Sequence, residues 1–146
     1  LDKDADVMSF ENQTADTLVI SGFSYDNEAK VRLLGVKRQT LEEFGAVSEQ
    51  TALEMACGIS QVSDTDVSVS LTGLAGPGGG SEEKPVGTIC IGLASKFKEP
   101  VALTVKVSSL SRDGLRRRFS ALALILVRLY LENVNLVDTV KTWVYI

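Results

Sequence analysis

The densest chemical signal in this 146-residue chain is the segment from Thr72 to Thr88, TGLAGPGGGSEEKPVGT, in which Gly73, Gly76, Gly78, Gly79 and Gly80 crowd the end of a predicted strand. Glycine tolerates positive φ and lets the backbone approach a ligand closely, so successive N–H groups there can line an anion pocket. The segment is neither GxxxxGK(S/T) nor a GxGxxG that opens a helix, because Glu82, Glu83, Lys84 and Pro85 lead into another strand. The Walker and Rossmann phosphate sites are excluded on that ground. A plain hairpin loop is the bland alternative, but so dense a glycine cluster is more than a turn requires. The chain has no histidine. That removes the Ser-His-Asp and Cys-His pairs, the imidazole metal ligand and the histidine acid-base switch, so any catalysis needs other groups. Cys57 and Cys90 stand singly in apolar segments without zinc-site or CxxC spacing. They read as buried thiols in a reducing compartment, cytoplasmic or an organellar matrix, and no metal or cofactor is expected.

The elements that must position these groups follow from periodicity. The acidic stretch Leu1 to Asp16 has no sustained period and reads as an irregular arm. Thr17 to Ser24, TLVISGFS, reads as a strand that delivers the chain to Tyr25, and Glu28 to Leu34 as a short helix stopped by Gly35. Thr40 and Glu43 have capping-box spacing for a helix that must end by Gly45. Ser48 is a candidate N-cap for a longer helix through Gln61, with Ala52, Met55, Ala56 and Ile59 as its buried stripe. Asp66 to Leu74 alternates valine and leucine with serine and threonine, the period-2 pattern of a strand. Val86 to Ala94 and Val101 to Val107 form a predicted hairpin around Lys96 to Pro100. Ser111 caps a predicted helix from Arg112 to Leu131, apolar nearly all round its middle, and the tail from Asn133 to Ile146 reads as a terminal strand or docking arm. Helices interleaved with strands imply an α/β layer architecture, and there is no internal repeat.

Composition sets the outer bounds. An apolar fraction of 45% with 23% charged residues suits one globular domain over residues 1–146. Fifteen basic against 19 acidic residues, net charge −4, argue against a face that binds nucleic acid. The longest apolar stretch, Phe119 to Val127, is far short of the roughly 20 residues that span a bilayer, so no membrane partner is expected. The apolar helix and the tail imply a homo-oligomer or a protein partner. Leu1 opens the chain without a signal-peptide pattern, which reads as a processed or partial sequence.

Tyr25 to Lys30 (YDNEAK), Leu33 to Val36 (LLGV), Thr40-Leu41, Gly45 to Ser48 (GAVS), Thr72 to Pro77 (TGLAGP) and Pro85 to Thr88 (PVGT) closely resemble, in order and spacing, the CinA C-terminal domain family. The resemblance runs from about Ser21 to Leu131. It implies a three-layer α/β/α sandwich with a mixed sheet. It also implies an activity, deamidation of nicotinamide mononucleotide to nicotinic acid mononucleotide and ammonia without a metal. In the family a serine nucleophile is assisted by the tyrosine and lysine that match Tyr25 and Lys30. A lysine beside a phenol can lower its pKa and form a proton relay. The same resemblance assigns Thr72, Gly73, Gly76, Gly78 and Gly79 to the ribose-phosphate or the oxyanion, and Arg112 and Arg116 of RDGLR to the phosphate. The chain departs from the family in two places. It has no ESCTGG segment, and the serine position falls on Ala15, or on Thr14 with a shift of one, leaving Thr14 as the candidate hydroxyl. These departures support an alternative reading, an inactive member retained as a nucleotide-binding or scaffold subunit.

Overall fold

A computed structural model of the protein describes residues 26–108 and 111–141 in full, and residues 7–11 and 18–22 as backbone. Ten elements follow in order: β1 (Val7–Glu11), β2 (Leu18–Gly22), α1 (Asn27–Leu34), α2 (Arg38–Phe44), α3 (Glu49–Ser63), β3 (Val67–Gly73), β4 (Thr88–Ser95), β5 (Lys98–Lys106), α4 (Arg112–Leu131) and α5 (Leu136–Lys141). β1 and β2 pair antiparallel, Val7 opposite Gly22 and Glu11 opposite Leu18. Part of the arm expected to be irregular is therefore a strand. Its ladder partner lies a loop away in sequence, and the acidic flanks obscure the short VMSF run.

The second sheet has the order β3-β4-β5, antiparallel throughout. Its register sorts side chains onto two unlike faces. Ser68, Ser70 and Thr72 of β3 lie opposite Ala94, Gly92 and Cys90 of β4, a surface of small and polar groups, while Val69 pairs with Leu93 and Leu71 with Ile91 on the other side. The small face accepts α3 at close range. A Cβ on Gly92 would stand 2.2 Å from the Ala52 carbonyl oxygen, so the helix backbone rests almost on the sheet. Ser68 Oγ donates to the Ala56 carbonyl at 2.7 Å and Ser70 Oγ to that of Ala52. The apolar face packs on α4, where Leu115, Phe119, Leu122, Leu126 and Tyr130 recur at helical intervals against Ile89, Ile91, Leu93, Leu103 and Val105. Each such side chain contributes roughly 1.5–3 kcal/mol by leaving water. With helices on both faces, β4 is buried over seven of its eight residues.

This is the expected layered α/β architecture; the described strand pairings are antiparallel, and a parallel component of a mixed sheet is not among them. Several local expectations shift. α2 begins at Arg38, and Thr40 sits inside it rather than at its cap, its hydroxyl donating to Glu54 Oε1 at 2.8 Å. A cap signal and an inward-facing threonine look alike until α3 supplies the acceptor. Residues 136–141 of the tail are helical, with Leu136 buried, so the strand expectation fails there. Thr142 to Ile146 lie outside the described residues. Cys90 is buried as expected, whereas Cys57 is only half-buried. α4 is covered on one side: Leu124 and Ile125 remain 71% and 49% exposed.

Candidate functional site

The glycine-rich segment is anchored at its base. Leu74 N–H donates to the Thr88 carbonyl at 2.8 Å and Gly87 N–H to the Leu74 carbonyl at 2.7 Å, which closes the loop where β3 leaves and β4 begins. Further along, Ser81 N–H donates to the Lys84 carbonyl at 2.9 Å and Ser81 Oγ accepts from Lys84 N–H at 3.1 Å, a tight turn just before β4. Gly78, Gly79 and Gly80 form its exposed crown, with Gly79 at φ 87°, a conformation that favours glycine.

Three contacts fix the loop to the rest of the molecule. The Thr72 hydroxyl donates to the Ala46 carbonyl at 2.6 Å, Lys84 Nζ to the Phe44 carbonyl at 3.1 Å, and the Arg112 guanidinium to the Gly76 carbonyl at 2.5 Å. Arg112 opens α4, whose N-cap Ser111 accepts from Gly114 N–H at 3.0 Å. One guanidinium N–H is spent on Gly76; the group has four more, at the positive end of a 20-residue helix. Arg116, one turn on, is exposed on the same helical face. This corner can bind an anion, with Arg112 serving both as loop anchor and as charge.

Lys30 is placed by a different route. Asp26 caps α1, accepting from Glu28 N–H at 3.2 Å, and Gly35 ends it. The last turn of α1 lies on α3 at Gly58, where a Cβ would fall 1.7 Å from the Leu34 carbonyl oxygen. This close seating accompanies a Lys30 only 4% exposed. Burial pushes its ammonium pKa below the ordinary 10.5, and the Asp26 carboxylate opposes part of that shift. A lysine so held loses its proton more readily than a solvated one, the property a proton relay needs.

Of the residues singled out in the sequence, Gly76 and Arg112 are brought into contact; Thr72 turns its hydroxyl to Ala46 on the α3 side, Gly73 ends β3, Gly78 and Gly79 lie on the crown, and Arg116 is exposed one turn beyond Arg112. Lys30 is placed on α1. Tyr25 and Thr14, like Ala15, lie outside the described residues. Sequence reasoning missed the parts played by Phe44 and Ala46, whose backbone carbonyls hold the loop, because a carbonyl acceptor has no residue-type signature. Among the described residues no group of three or more His, Cys, Asp or Glu is arranged to hold a metal ion, and no helix is long and apolar enough to cross a membrane.

Known proteins are similar to this chain in sequence and fold. The family model for the CinA C-terminal domain matches residues 12–131. A CinA-like protein of Chlorobium limicola is 50% identical over 115 residues, covering 76% of this chain and 27% of that protein, and one of Chlorobaculum tepidum is 53% identical over 112 residues, covering 73% and 26%. The chain thus spans about a quarter of the length of the curated relatives it matches. Among solved structures, competence/damage inducible protein CihA of Agrobacterium tumefaciens superposes with a TM-score of 0.67 at 38% identity, covering 73% of this chain and 66% of that one. A competence-damaged protein (CinA) superfamily protein of Escherichia coli gives 0.66 at 32%, covering 72% and 60%. With most of its length matched in both sequence and structure, this chain belongs to the CinA C-terminal domain family.

Proposed function

We propose that this domain hydrolyses the carboxamide of nicotinamide mononucleotide, releasing ammonia and nicotinic acid mononucleotide. The observation that carries the reading is Lys30, a buried lysine with a lowered pKa at the position where the family's motif has its relay amine. In this reading a hydroxyl, that of Thr14, attacks the amide carbon. Its proton passes through Tyr25 to Lys30 and returns to the departing amine, so that ammonia leaves from the tetrahedral intermediate. Water then hydrolyses the acyl-enzyme, restoring the hydroxyl. The Arg112 guanidinium, already turned toward Gly76, and the backbone amides of the loop supply donors to the phosphate and the developing oxyanion.

One sequence observation favours a second reading: the family's serine position falls on Ala15, whose methyl group cannot attack a carbonyl. The chain is then a binding member that holds the mononucleotide without turnover. Ammonia release from nicotinamide mononucleotide, measured for the chain and for Lys30→Ala, separates the two. Release that the substitution abolishes supports the hydrolase; a chain that raises its Tm with the mononucleotide but never forms ammonia refutes it in favour of the second reading.

A further inference from the structure

We propose that a cleft on the α3 side of the sheet, separate from the Arg112 corner, binds a small organic carboxylate between Lys84 and Lys106, over the Thr88 hydroxyl. The cleft holds about 310 Å³, with a floor of Thr88, Cys90, Thr104 and Lys106 and apolar walls at Phe44 and Val47. The register builds the floor: Thr88 pairs with Lys106 and Cys90 with Thr104 across β4 and β5, so all four side chains share one face.

Thr88 points to a ligand. It is 2% exposed, and among the described residues its Oγ1 has no hydrogen-bond partner. The other buried hydroxyls of this face are all engaged, Ser68 with Ala56, Ser70 with Ala52 and Thr72 with Ala46. An isolated buried hydroxyl is costly, so one left over at the floor of a cleft is matched by something that enters it.

The surrounding charges define the visitor. The N-terminal turn of the 15-residue helix α3 lines the cleft through Ser48, Glu49 and Gln50, its dipole favouring an anion. Lys106 makes no ion pair among the described residues, and Lys84 is held at the rim by its bond to the Phe44 carbonyl. Glu49, which accepts from the Thr104 hydroxyl at 2.8 Å, and Glu83 balance the two lysines. A site with near-zero net charge can offset the desolvation of a monoanion with its donors but has too little positive charge to offset that of a phosphate dianion. Phe44 and Val47 suit a flat apolar body, which makes the ligand an aryl or short alkyl carboxylate. The proposal stands without the amidase reading, since Arg112 belongs to α4, on the opposite face of the sheet.

The test uses benzoate, with benzamide as its neutral isostere and inorganic phosphate as the dianion. An amide NMR titration is expected to saturate with Kd about 1 mM, the scale for so few ligand atoms, with shifts at Glu49, Thr88, Thr104 and Lys106. Benzamide, phosphate and the Lys106→Met variant are each expected to bind about tenfold more weakly. Thr88→Val, nearly isosteric, is expected to raise the Tm of the ligand-free chain and to weaken benzoate. The proposal is overturned by benzoate that does not saturate by about 20 mM, by equal affinity in Lys106→Met, by phosphate binding more tightly than benzoate, or by shifts confined to Gly76–Gly80 and Arg112.

Discussion

Gly92→Ala should be among the most damaging single-methyl changes this protein can suffer. The added Cβ meets the Ala52 carbonyl oxygen at 2.2 Å and its carbon at 2.6 Å, where real contacts do not fall below 3.0 Å. Backbone cannot rotate away as a side chain can, so α3 must retreat from the sheet by about 1 Å. Overpacking of this kind costs about 1–3 kcal/mol. The retreat also stretches the bonds from Ser68 to Ala56 and from Ser70 to Ala52, each contributing about 1 kcal/mol. Against this, alanine stabilises by at most about 1 kcal/mol through the less flexible unfolded chain. The balance is a loss of about 2–4 kcal/mol, a large fraction of the 5–15 kcal/mol typical of a domain. At about 4 °C per kcal/mol for a chain of this length, the Tm should fall by about 8–16 °C in thermal unfolding followed by circular dichroism. Ser70 Oγ is the third atom in the way, at 2.7 Å, but removing it leaves the carbonyl. Adding Ser70→Gly should therefore not restore the Tm. A fall of less than about 3 °C, or full rescue by the second change, would refute the claim that helix backbone rests on Gly92.

Other consequences follow from single contacts. Ser48→Ala removes the acceptor for Thr51 N–H and the donor to the Gly45 carbonyl, and should cost about 1–2 kcal/mol in urea unfolding with an unchanged m-value. Lys30 has a folded-state pKa below its unfolded value of 10.5, so between the two the unfolded chain binds more protons and folding strengthens as pH rises. The stability of the protein relative to Lys30→Met should therefore climb as pH is raised from neutral toward 10.5; a flat difference in urea midpoints would show that Lys30 is not desolvated. On the proposed reading, Arg112→Ala should weaken nicotinamide mononucleotide binding about tenfold by calorimetry, through loss of the loop anchor at Gly76 and of the charge which that reading assigns to the phosphate. Unchanged affinity would remove the glycine loop from the mononucleotide site.

The local grammar of this protein was legible in its residues. Alternation of Val67, Val69 and Leu71 with Ser68, Ser70 and Thr72 marks β3, Ser48 and Ser111 mark the starts of α3 and α4, and the strand-loop-strand around the glycines is where periodicity puts it. Those features depend on neighbours within a turn or a pleat, and composition reports them. The motif order likewise sufficed to place the chain in its family. Tertiary structure decided what the polar face of β3 is for. Its serines and threonine could have faced water, but the absence of a side chain at Gly92 lets α3 come close enough for Ser68 and Ser70 to reach its carbonyls, while Thr72 bonds the Ala46 carbonyl in the loop before it. Among the described residues the Thr88 Oγ1, at the start of β4, has no hydrogen-bond partner. Burial of Lys30, the carbonyls of Phe44 and Ala46 as anchors, and the pairing of β1 with β2 were equally beyond local reading. Each depends on atoms distant in sequence meeting within a few ångströms, a distance that packed backbones set and residue type does not.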